Sequence, residues 1–310
     1  MRAIGTLTAG QRIEDLVGHT PLVRFDRLAA GLADVTILAK LESRNPGGSV
    51  KDRAALGMIL DGERTGRLVR GKTILDATSG NTGIAYAWIG AAKGYAVELC
   101  LPASASAERK AILRAYGVRI VETPAAEGSD GAIREARRRF AADPDRFFYP
   151  DQYSNPANWR AHYDGTAVEI LEQTGGRLTH FVAALGTSGT FVGVARRLRA
   201  EKGRAVRLVS VQPDSPFHGL EGLKHMPSAL VPAIYDPGVA DENLWMRTEE
   251  AQALVRRVAR EEGVFIGPSG GAALAAALRI GREHPGAIIV TVLPDGGERY
   301  LSERFWSEES

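Results

Sequence analysis

Lys51 is the residue whose type and position point most directly to chemistry. An apolar run over residues 35–41 predicts a strand, and turn residues follow it in the stretch Asn45-Pro46-Gly47-Gly48-Ser49-Val50-Lys51-Asp52-Arg53. A helical pattern begins near Lys51. Because a helix N-terminus disfavours an ammonium, this position suits a lysine that must be neutral to form an imine. Taken alone, Lys51 is one of 39 lysine and arginine residues, most of which must be solvated surface charges.

A loop rich in hydroxyl and amide side chains follows the next predicted strand, residues 73–77. Its sequence is Thr78-Ser79-Gly80-Asn81-Thr82-Gly83, and an apolar helical stretch comes directly after it. In a parallel sheet this order places the loop at the carboxyl edge, where ligands usually bind. Hydroxyls, an amide and backbone N–H groups at a helix start could hold a carboxylate. The same residues would serve equally well as a helix cap and tight turn.

A second loop, Gly186-Thr187-Ser188-Gly189-Thr190, follows the predicted strand 180–184 and leads into a helix. Successive N–H groups at a helix start, together with hydroxyl donors, suit a phosphate dianion. The loop lacks the GK[ST] sequence of a nucleotide P-loop, and its spacing does not fit the dinucleotide pattern GxGxxG. It therefore predicts a phosphate site of another kind.

Composition limits the classes of partner and compartment. A net charge of +2 over 310 residues gives no indication of a nucleic acid or a membrane surface as a partner. No apolar run approaches the length of a membrane span, and no signal-peptide pattern opens the chain, so we expect the cytoplasm. Cys100 is the only cysteine and lies in an apolar run, where we expect it to be buried. No histidine and acid spacing predicts a metal site.

Strand and helix patterns alternate regularly between residues 73 and 149. Apolar strands in β-α-β order predict an α/β fold, in which a parallel sheet is covered by helices on both faces. The polar loop Asp151 to Asn158 breaks the alternation, so we expect a boundary near residue 150.

These motifs together resemble the cysteine synthase and cystathionine β-synthase family of pyridoxal-phosphate enzymes, and most nearly cysteine synthase B and O-phosphoserine sulfhydrylase. The resemblance extends from about Asp15 to Leu301. It is carried by the lysine stretch, the loop from Thr78, the Gln152-Tyr153-Ser154-Asn155-Pro156 segment, the loop 186–190, and Gly267-Pro268-Ser269-Gly270-Gly271. Ser188 departs from the family pattern, in which glycine is commoner.

The resemblance implies a fold and a set of site residues. It implies two open, mostly parallel twisted sheets with helices on both faces and pyridoxal phosphate in the cleft between them. Residues 1–44 and 151–310 would form the larger, cofactor-binding domain, and residues 45–150 the smaller, mobile, substrate-binding domain. Lys51 would be catalytic and would bind the cofactor together with Asn81, Gly186, Thr187, Ser188, Gly189, Thr190 and Ser269. The substrate would contact Thr78, Ser79, Thr82, Gln152 and Lys224.

The implied reaction is a β-replacement that makes L-cysteine from O-acetyl-L-serine or O-phospho-L-serine. The leaving group stays open, and so does the sulfur donor, which could be sulfide, thiosulfate or a carrier-protein thiocarboxylate. Other readings are a serine or threonine dehydratase, a non-catalytic paralogue that binds an acyltransferase or regulator, and, least favoured, a nicotinamide dehydrogenase. The family implies a homodimer, with a sulfur carrier protein or serine acetyltransferase as a further partner.

Overall fold

The structure is a computed structural model that describes residues 10–78 and 80–307. Its strands, in chain order, are β1 Leu22–Arg24, β2 Thr36–Leu41, β3 Thr73–Ala77, β4 Ala96–Pro102, β5 Arg119–Thr123, β6 Phe147–Phe148, β7 His180–Ala184, β8 Arg207–Pro213, β9 Glu242–Met246 and β10 Ile288–Leu293.

The α-helices of the described residues are α1 Lys51–Arg64, α2 Asn81–Lys93, α3 Ala107–Ala115, α4 Gly128–Ala142, α5 Pro156–Ala161, α6 Ala167–Thr174, α7 Gly189–Lys202, α8 Thr248–Glu262 and α9 Pro268–Glu283. A single π-helical turn, His162–Thr166, joins α5 to α6. None of the helices in the described ranges has the length and apolar character needed to cross a membrane.

Two separate sheets organise the fold. The larger has the order β1-β2-β10-β7-β8-β9, in which only the edge strand β1 is antiparallel to its neighbour. The smaller has the order β5-β4-β3-β6 and is parallel throughout. The α/β architecture with two parallel-rich sheets confirms the predicted fold class.

Helices cover both faces of each sheet, because alternate residues of a strand point to opposite faces. In β7, Phe181 packs in a cluster with residues of α6 and α7, whereas Val182 packs with residues of α8 and α9. In β3, Ile74 packs against α1 and α2, whereas Leu75 packs against α4. Each sheet therefore has two apolar cores, which explains why its strands read as nearly continuous apolar runs.

The strands of the two sheets come from different parts of the chain. The six-stranded sheet uses residues 22–41 and 180–293, and the four-stranded sheet uses residues 73–148. The helix α1 nevertheless lies close against α5, where a Cβ on Gly57 would meet Ala161 at 3.0 Å. The exact domain boundaries at residues 45 and 150, and the mobility of the smaller domain, stay predictions.

Candidate active site

The carboxyl ends of β3, β7, β8 and β10 all face one cavity between the sheets. The loops that follow these strands line it, together with the start of α1 and the start of α9. Ligands of open parallel sheets bind at such edges. Of the described predicted site residues, the cavity is lined by Lys51, Thr78, Asn81, Thr82, Gln152, Gly186, Thr187, Ser188, Gly189, Thr190, Lys224 and Ser269. Ser79 lies outside the described residues.

Lys51 is the first residue of α1, as its sequence context predicted. Its Nζ has no hydrogen-bond or ion-pair partner among the described residues, so the amine is available to a ligand in the cavity. Burial lowers the pKa of Lys51, against the opposing effect of the Asp295 and Glu42 carboxylates. A lowered pKa increases the fraction of neutral amine, which is the form that reacts with a carbonyl.

The turn before Lys51 is held by a buried carboxylate on the same helix. Asp52 accepts hydrogen bonds from the Gly47 N–H at 2.5 Å and from the Trp88 Nε1–H at 3.1 Å. Gly47 has no room for a side chain, because a Cβ there would clash with Asp52 and Trp88. Burial raises the pKa of Asp52 to about 6. The glycine of the lysine stretch is thus required by close packing around Asp52.

The loop from Thr78 forms its own internal bonds. Thr78 Oγ1 accepts from the N–H groups of Gly80 and Gly83, both at 3.2 Å. Thr82 donates to Gln152 Oε1 at 2.9 Å, and Gln152 Nε2 donates to the Ala77 carbonyl at 2.7 Å. These side chains therefore stabilise the turn at the end of β3. Their predicted contacts with a substrate carboxylate stay predictions.

The loop 186–190 passes into α7, which begins at Gly189. Ser188 adopts a left-handed backbone, with φ of +72°, and its buried Oγ has no hydrogen-bond partner in the described part of the chain. A Cβ on Gly186 would clash with the backbone carbonyl of Gly222, and one on Gly189 with the Asn158 side chain. Gly186 and Gly189 therefore cannot be replaced, and the Ser188 hydroxyl is unpaired among the described residues. We call this closely packed loop, which could hold a small anion, the cradle around Ser188.

Other loop hydroxyls are tied to neighbouring elements. Thr187 Oγ1 accepts from Asn158 Nδ2 at 3.2 Å, and Thr190 Oγ1 lies 3.3 Å from His162 Nε2. His162 is buried in the π-helical turn, and burial, with Arg53 and Lys51 nearby, lowers its pKa well below the usual range. A neutral imidazole therefore braces the loop. His162 was not predicted as a site residue, because no sequence pattern indicates a π-helical turn.

Ser269 is the second residue of α9, and its side chain is buried against the cavity. The preceding Gly267 packs so closely on Asp295 and Tyr300 that a Cβ would clash with both. The Gly-Pro-Ser sequence thus lets the helix start approach the strand end of β10. This places the Ser269 hydroxyl on the cavity wall, on the larger sheet's side.

Two cations stand at the mouth of the cavity, and each has a carboxylate partner. Lys224 Nζ lies 3.7 Å from Asp130 and 5.2 Å from the centre of the Tyr153 ring, and burial lowers its pKa. Arg109 Nη2 donates to Glu221 Oε2 at 2.7 Å. Each pair joins a helix beside the smaller sheet to the loop that follows β8.

Sequence reasoning also missed a cluster directly after β10. Asp295 lines the cavity and is 1% exposed, and it accepts from Tyr300 Oη at 2.6 Å and from Asn81 Nδ2 at 2.7 Å. Arg299 donates to Asn81 Oδ1 and to the Gly47 carbonyl. The signal was available, because Asp295 follows an apolar parallel strand at the sheet's carboxyl edge.

Comparison with known proteins agrees with this geometry. Residues 13–295 match the family model described as "Pyridoxal-phosphate dependent enzyme". The chain belongs to this family. The family and the cofactor predicted from the sequence are therefore confirmed. No set of three or more histidine, cysteine or acidic residues that could hold a metal occurs in residues 10–78 and 80–307.

Several proteins similar to this chain are cysteine synthases or O-acetylserine sulfhydrylases. The chain is 48% identical over 307 residues to a cysteine synthase of Aquifex aeolicus, covering 97% of this chain and 94% of the relative. It is 45% identical to cysteine synthase B of Pseudomonas aeruginosa, covering 94% and 95%. The solved structure of O-acetylserine sulfhydrylase isoform 3 from Entamoeba histolytica superposes with a TM-score of 0.90 at 35% identity, covering 100% of this chain and 95% of that one.

The residues around the cavity fit pyridoxal phosphate. The cofactor needs an amine for its carbonyl, donors for its phosphate and polar contacts for its ring. Within the described residues, Lys51 supplies an amine without a partner, and Ser188 supplies an unpaired buried hydroxyl at a helix start. Asn81 and Ser269 also line the cavity, and their polar side chains could contact the ring.

Proposed function

We propose that this chain is a cysteine synthase that makes L-cysteine from O-acetyl-L-serine and a sulfur donor. The observation that carries the proposal is the meeting of Lys51, the cradle around Ser188 and the loop from Thr78 in one cavity. Similarity to cysteine synthases over nearly the whole chain supports the same activity.

The bound cofactor would serve as an electron sink for charge that develops at the substrate Cα. We propose that Lys51 binds the cofactor and, once released by the incoming amino acid, takes the Cα proton on its Nζ. Asn81 would bond the ring oxygen, and the N–H groups at the start of α2 together with Gln152 would hold the α-carboxylate. Fixing the carboxylate orients the Cα–H bond toward Lys51.

Ser269 would contact the ring nitrogen. A neutral hydroxyl, unlike an aspartate, does not keep that nitrogen strongly protonated, so the cofactor would be a weaker electron sink. The site would then favour loss of the leaving group from Cβ over side reactions at Cα. The acetate departs with the electron pair of the Cβ–O bond, the sulfur nucleophile forms the new Cβ–S bond, and Lys51 returns its proton to Cα.

The charges at the cavity mouth support acetate rather than phosphate as the leaving group. Lys224 and Arg109 each lie beside a carboxylate, Asp130 and Glu221. A phosphate dianion beside these pairs would be repelled by both carboxylates, whereas a neutral acetyl ester would not be. Lys224 offers only a point charge, and the Arg109 guanidinium is engaged by Glu221. O-phosphoserine is therefore the second candidate.

Steady-state kinetics with sulfide and each of the two esters tests the proposal. We expect kcat/KM for O-acetylserine to exceed that for O-phosphoserine at least ten-fold, which corresponds to about 1.4 kcal/mol. Asp130→Asn should reduce the ratio of kcat/KM for O-acetylserine to kcat/KM for O-phosphoserine several-fold. It leaves the Lys224 charge without its carboxylate partner, so this charge can attract the phosphate. Cysteine formation from neither ester would contradict the proposed function, and a reversed ratio would favour O-phosphoserine.

We also infer that the enzyme is a cytoplasmic homodimer. Residues 45–150 would form a smaller mobile domain. Cys100 is buried and unpaired, so the fold needs no oxidising compartment. We propose a sulfur carrier protein or serine acetyltransferase as a further partner. Light scattering tests the dimer, which should have twice the mass of the 33.3 kDa chain.

A further inference from the structure

The Asn81 side chain is held by two residues that lie more than 200 positions away in the chain. Asn81 Nδ2 donates to Asp295 Oδ2 at 2.7 Å, and Arg299 Nη1 donates to Asn81 Oδ1. Both partners belong to the segment directly after β10, which is not part of the smaller sheet. The amide that faces the cavity is therefore set by the other side of the cleft.

Asp295 and Arg299 fix the orientation of the Asn81 amide, because Asp295 binds its NH2 group and Arg299 binds its oxygen. Burial raises the pKa of Asp295, and hydrogen bonds from Tyr300 and Asn81 and the charge of Arg299 oppose this rise. As a carboxylate Asp295 can only accept hydrogen bonds, and a guanidinium can only donate them. A flipped Asn81 would bring its oxygen against Asp295 and its NH2 group against Arg299, so both bonds would be lost. In the observed orientation one of the two Nδ2 hydrogens is used by Asp295. The other is not used in any bond among the described residues, so it can be offered to a ligand.

The same segment also holds the turn before Lys51. The Val50 N–H donates to the Pro294 carbonyl at 2.8 Å, and Ser49 pairs with Asp295 in an antiparallel bridge. Arg299 Nη2 donates to the Gly47 carbonyl. Lys51 and Asn81 are thereby placed relative to one another through a single short piece of chain.

Asp295 itself is held firmly. Its side chain is 1% exposed, Tyr300 Oη donates to it at 2.6 Å, and its Oδ1 packs on Gly267, where a Cβ would clash. A buried carboxylate with one oxygen unpaired among the described residues is costly, which indicates a functional role for Asp295.

We propose that Asp295 and Arg299 are positioning residues, which fix the Asn81 amide so that an Nδ2 hydrogen faces the cofactor ring. This inference rests on the proposed function, because it assumes that Asn81 contacts the cofactor. Asp295 and Arg299 act through Asn81, and neither needs to touch the reacting atoms.

A double-mutant cycle on the holoenzyme tests the inference. Asp295→Asn keeps the shape but provides an amide that tolerates both orientations of Asn81. We expect the dissociation constant of pyridoxal phosphate to rise about ten-fold, as for loss of a hydrogen bond to a charged group. We also expect the visible absorption maximum of the bound cofactor to shift. In an Asn81→Ala background the same substitution should change the dissociation constant less than about two-fold, because the amide it orients is gone.

Arg299→Lys provides a second route if Asp295→Asn fails to fold. A lysine keeps the charge but cannot bridge Asn81 Oδ1 and the Gly47 carbonyl together, so the cofactor's dissociation constant should again rise several-fold. Glu298→Gln is the matched control, since Glu298 is an exposed acid of the same segment, and it should leave cofactor binding unchanged. Thermal unfolding of each variant checks that the fold is retained.

Two results would overturn the inference. Equal effects of Asp295→Asn in the presence and absence of the Asn81 amide would show that Asp295 acts by another route. If Asp295→Asn leaves the dissociation constant of pyridoxal phosphate unchanged in both backgrounds, the contact between Asp295 and Asn81 does not position the amide. A wild-type protein that binds no pyridoxal phosphate would instead contradict the proposed function, and the inference would fall with it.

Discussion

Ser188 combines two features that destabilise a folded protein unless a favourable contact offsets them. Its backbone has a φ of +72°, a region that costs a residue with a Cβ about 1 kcal/mol or more. Its buried hydroxyl has no hydrogen-bond partner among residues 10–78 and 80–307. Backbone strain and unpaired polar atoms concentrate at ligand sites. A cofactor phosphate that accepts from Ser188 Oγ would account for both features.

Replacing Ser188 with glycine should therefore change stability and cofactor binding in opposite directions. Glycine removes the left-handed strain, so the free energy of unfolding of the cofactor-free protein should rise by about 0.5–1 kcal/mol. Loss of the hydroxyl should raise the dissociation constant of pyridoxal phosphate about ten-fold. Urea denaturation and absorption titration measure the two quantities.

The matched variant Ser188→Ala separates the two effects. Alanine lacks the hydroxyl but keeps a Cβ, so it should weaken cofactor binding without stabilising the cofactor-free protein. Unchanged cofactor affinity in both variants would contradict a role for Ser188 at the phosphate.

At this scale the sequence predicted which residues line the cavity better than which bonds they make. Every described candidate, from Lys51 to Ser269, lines it, because strand ends and glycine loops are readable from the sequence and the family resemblance implied Gln152, Lys224 and Ser269. The bonds of Gln152 to Thr82 and Ala77 were not predictable, because they depend on side-chain rotamers across two loops. Asp295 was missed as a site residue, although it follows the apolar parallel strand β10 at the carboxyl edge of the sheet.

The helix α1 carries Lys51 at its start and is anchored by a buried ionic network two residues later. Arg53 donates to Glu42 at 2.6 Å and to Glu169 at 2.6 Å, and Lys40 donates to Glu169 at 2.5 Å. All four side chains are buried. The network joins α1 to β2 and α6, so it fixes the helix whose first residue is Lys51.

Glu169→Gln should lower the free energy of unfolding by about 3 kcal/mol or more, because it leaves Lys40 and Arg53 as buried cations with one carboxylate fewer. Glu172→Gln is the control on the same helix. Glu172 is exposed, and its change should stay within about 0.5 kcal/mol. Chemical denaturation followed by tryptophan fluorescence measures both, and equal stabilities of the two variants would contradict the role of the network.

The contribution of Glu169 should also depend on pH. Burial alone would raise its pKa, but hydrogen bonds from Arg53 and Lys40 hold it well below the ordinary 4.5. A lowered folded-state pKa gives stability that is fully present above 4.5 and is lost as the pH falls below it. The difference in stability between wild type and Glu169→Gln should therefore be constant near neutrality and shrink below pH 4.5. A difference that grows on acidification would contradict this assignment.

At the scale of the molecule, two ion pairs cross the mouth of the cavity between the helices of the smaller sheet and the loop after β8. They are Arg109 with Glu221 and Lys224 with Asp130. If the smaller domain moves as predicted, these pairs form on closure and break on opening. They would then favour the closed arrangement, in which water is excluded from the site.

Glu221→Gln should weaken closure by removing the charge that faces Arg109. We expect KM for O-acetylserine to rise several-fold, and substrate-induced protection of residues 45–150 in hydrogen exchange to decrease. Glu249→Gln serves as a control, since Glu249 is an exposed acid on α8. Protection that is independent of substrate in the wild type would show that the smaller domain does not close.

The parallel smaller sheet followed from the sequence because strand and helix patterns alternate with little interruption between residues 73 and 149, whereas the second sheet and the cleft were implied by the family resemblance. Regular alternation implies parallel strands, and parallel strands bring their carboxyl ends to one edge. What alternation could not predict is the strand order, in which β10 lies between β2 and β7. That pairing joins the two ends of the chain, and no local pattern encodes contacts between residues so far apart.

The central claim is that Lys51 carries pyridoxal phosphate for chemistry on O-acetylserine. Visible absorption of the purified holoenzyme, titrated separately with O-acetylserine and O-phosphoserine, tests it most directly. We predict a visible band from cofactor bound at Lys51, converted to a new spectrum by O-acetylserine at a far lower concentration than by O-phosphoserine. The band should be lost or displaced in Lys51→Ala and retained in Lys202→Ala. No visible band after addition of pyridoxal phosphate, or an unchanged band in Lys51→Ala, would contradict the account.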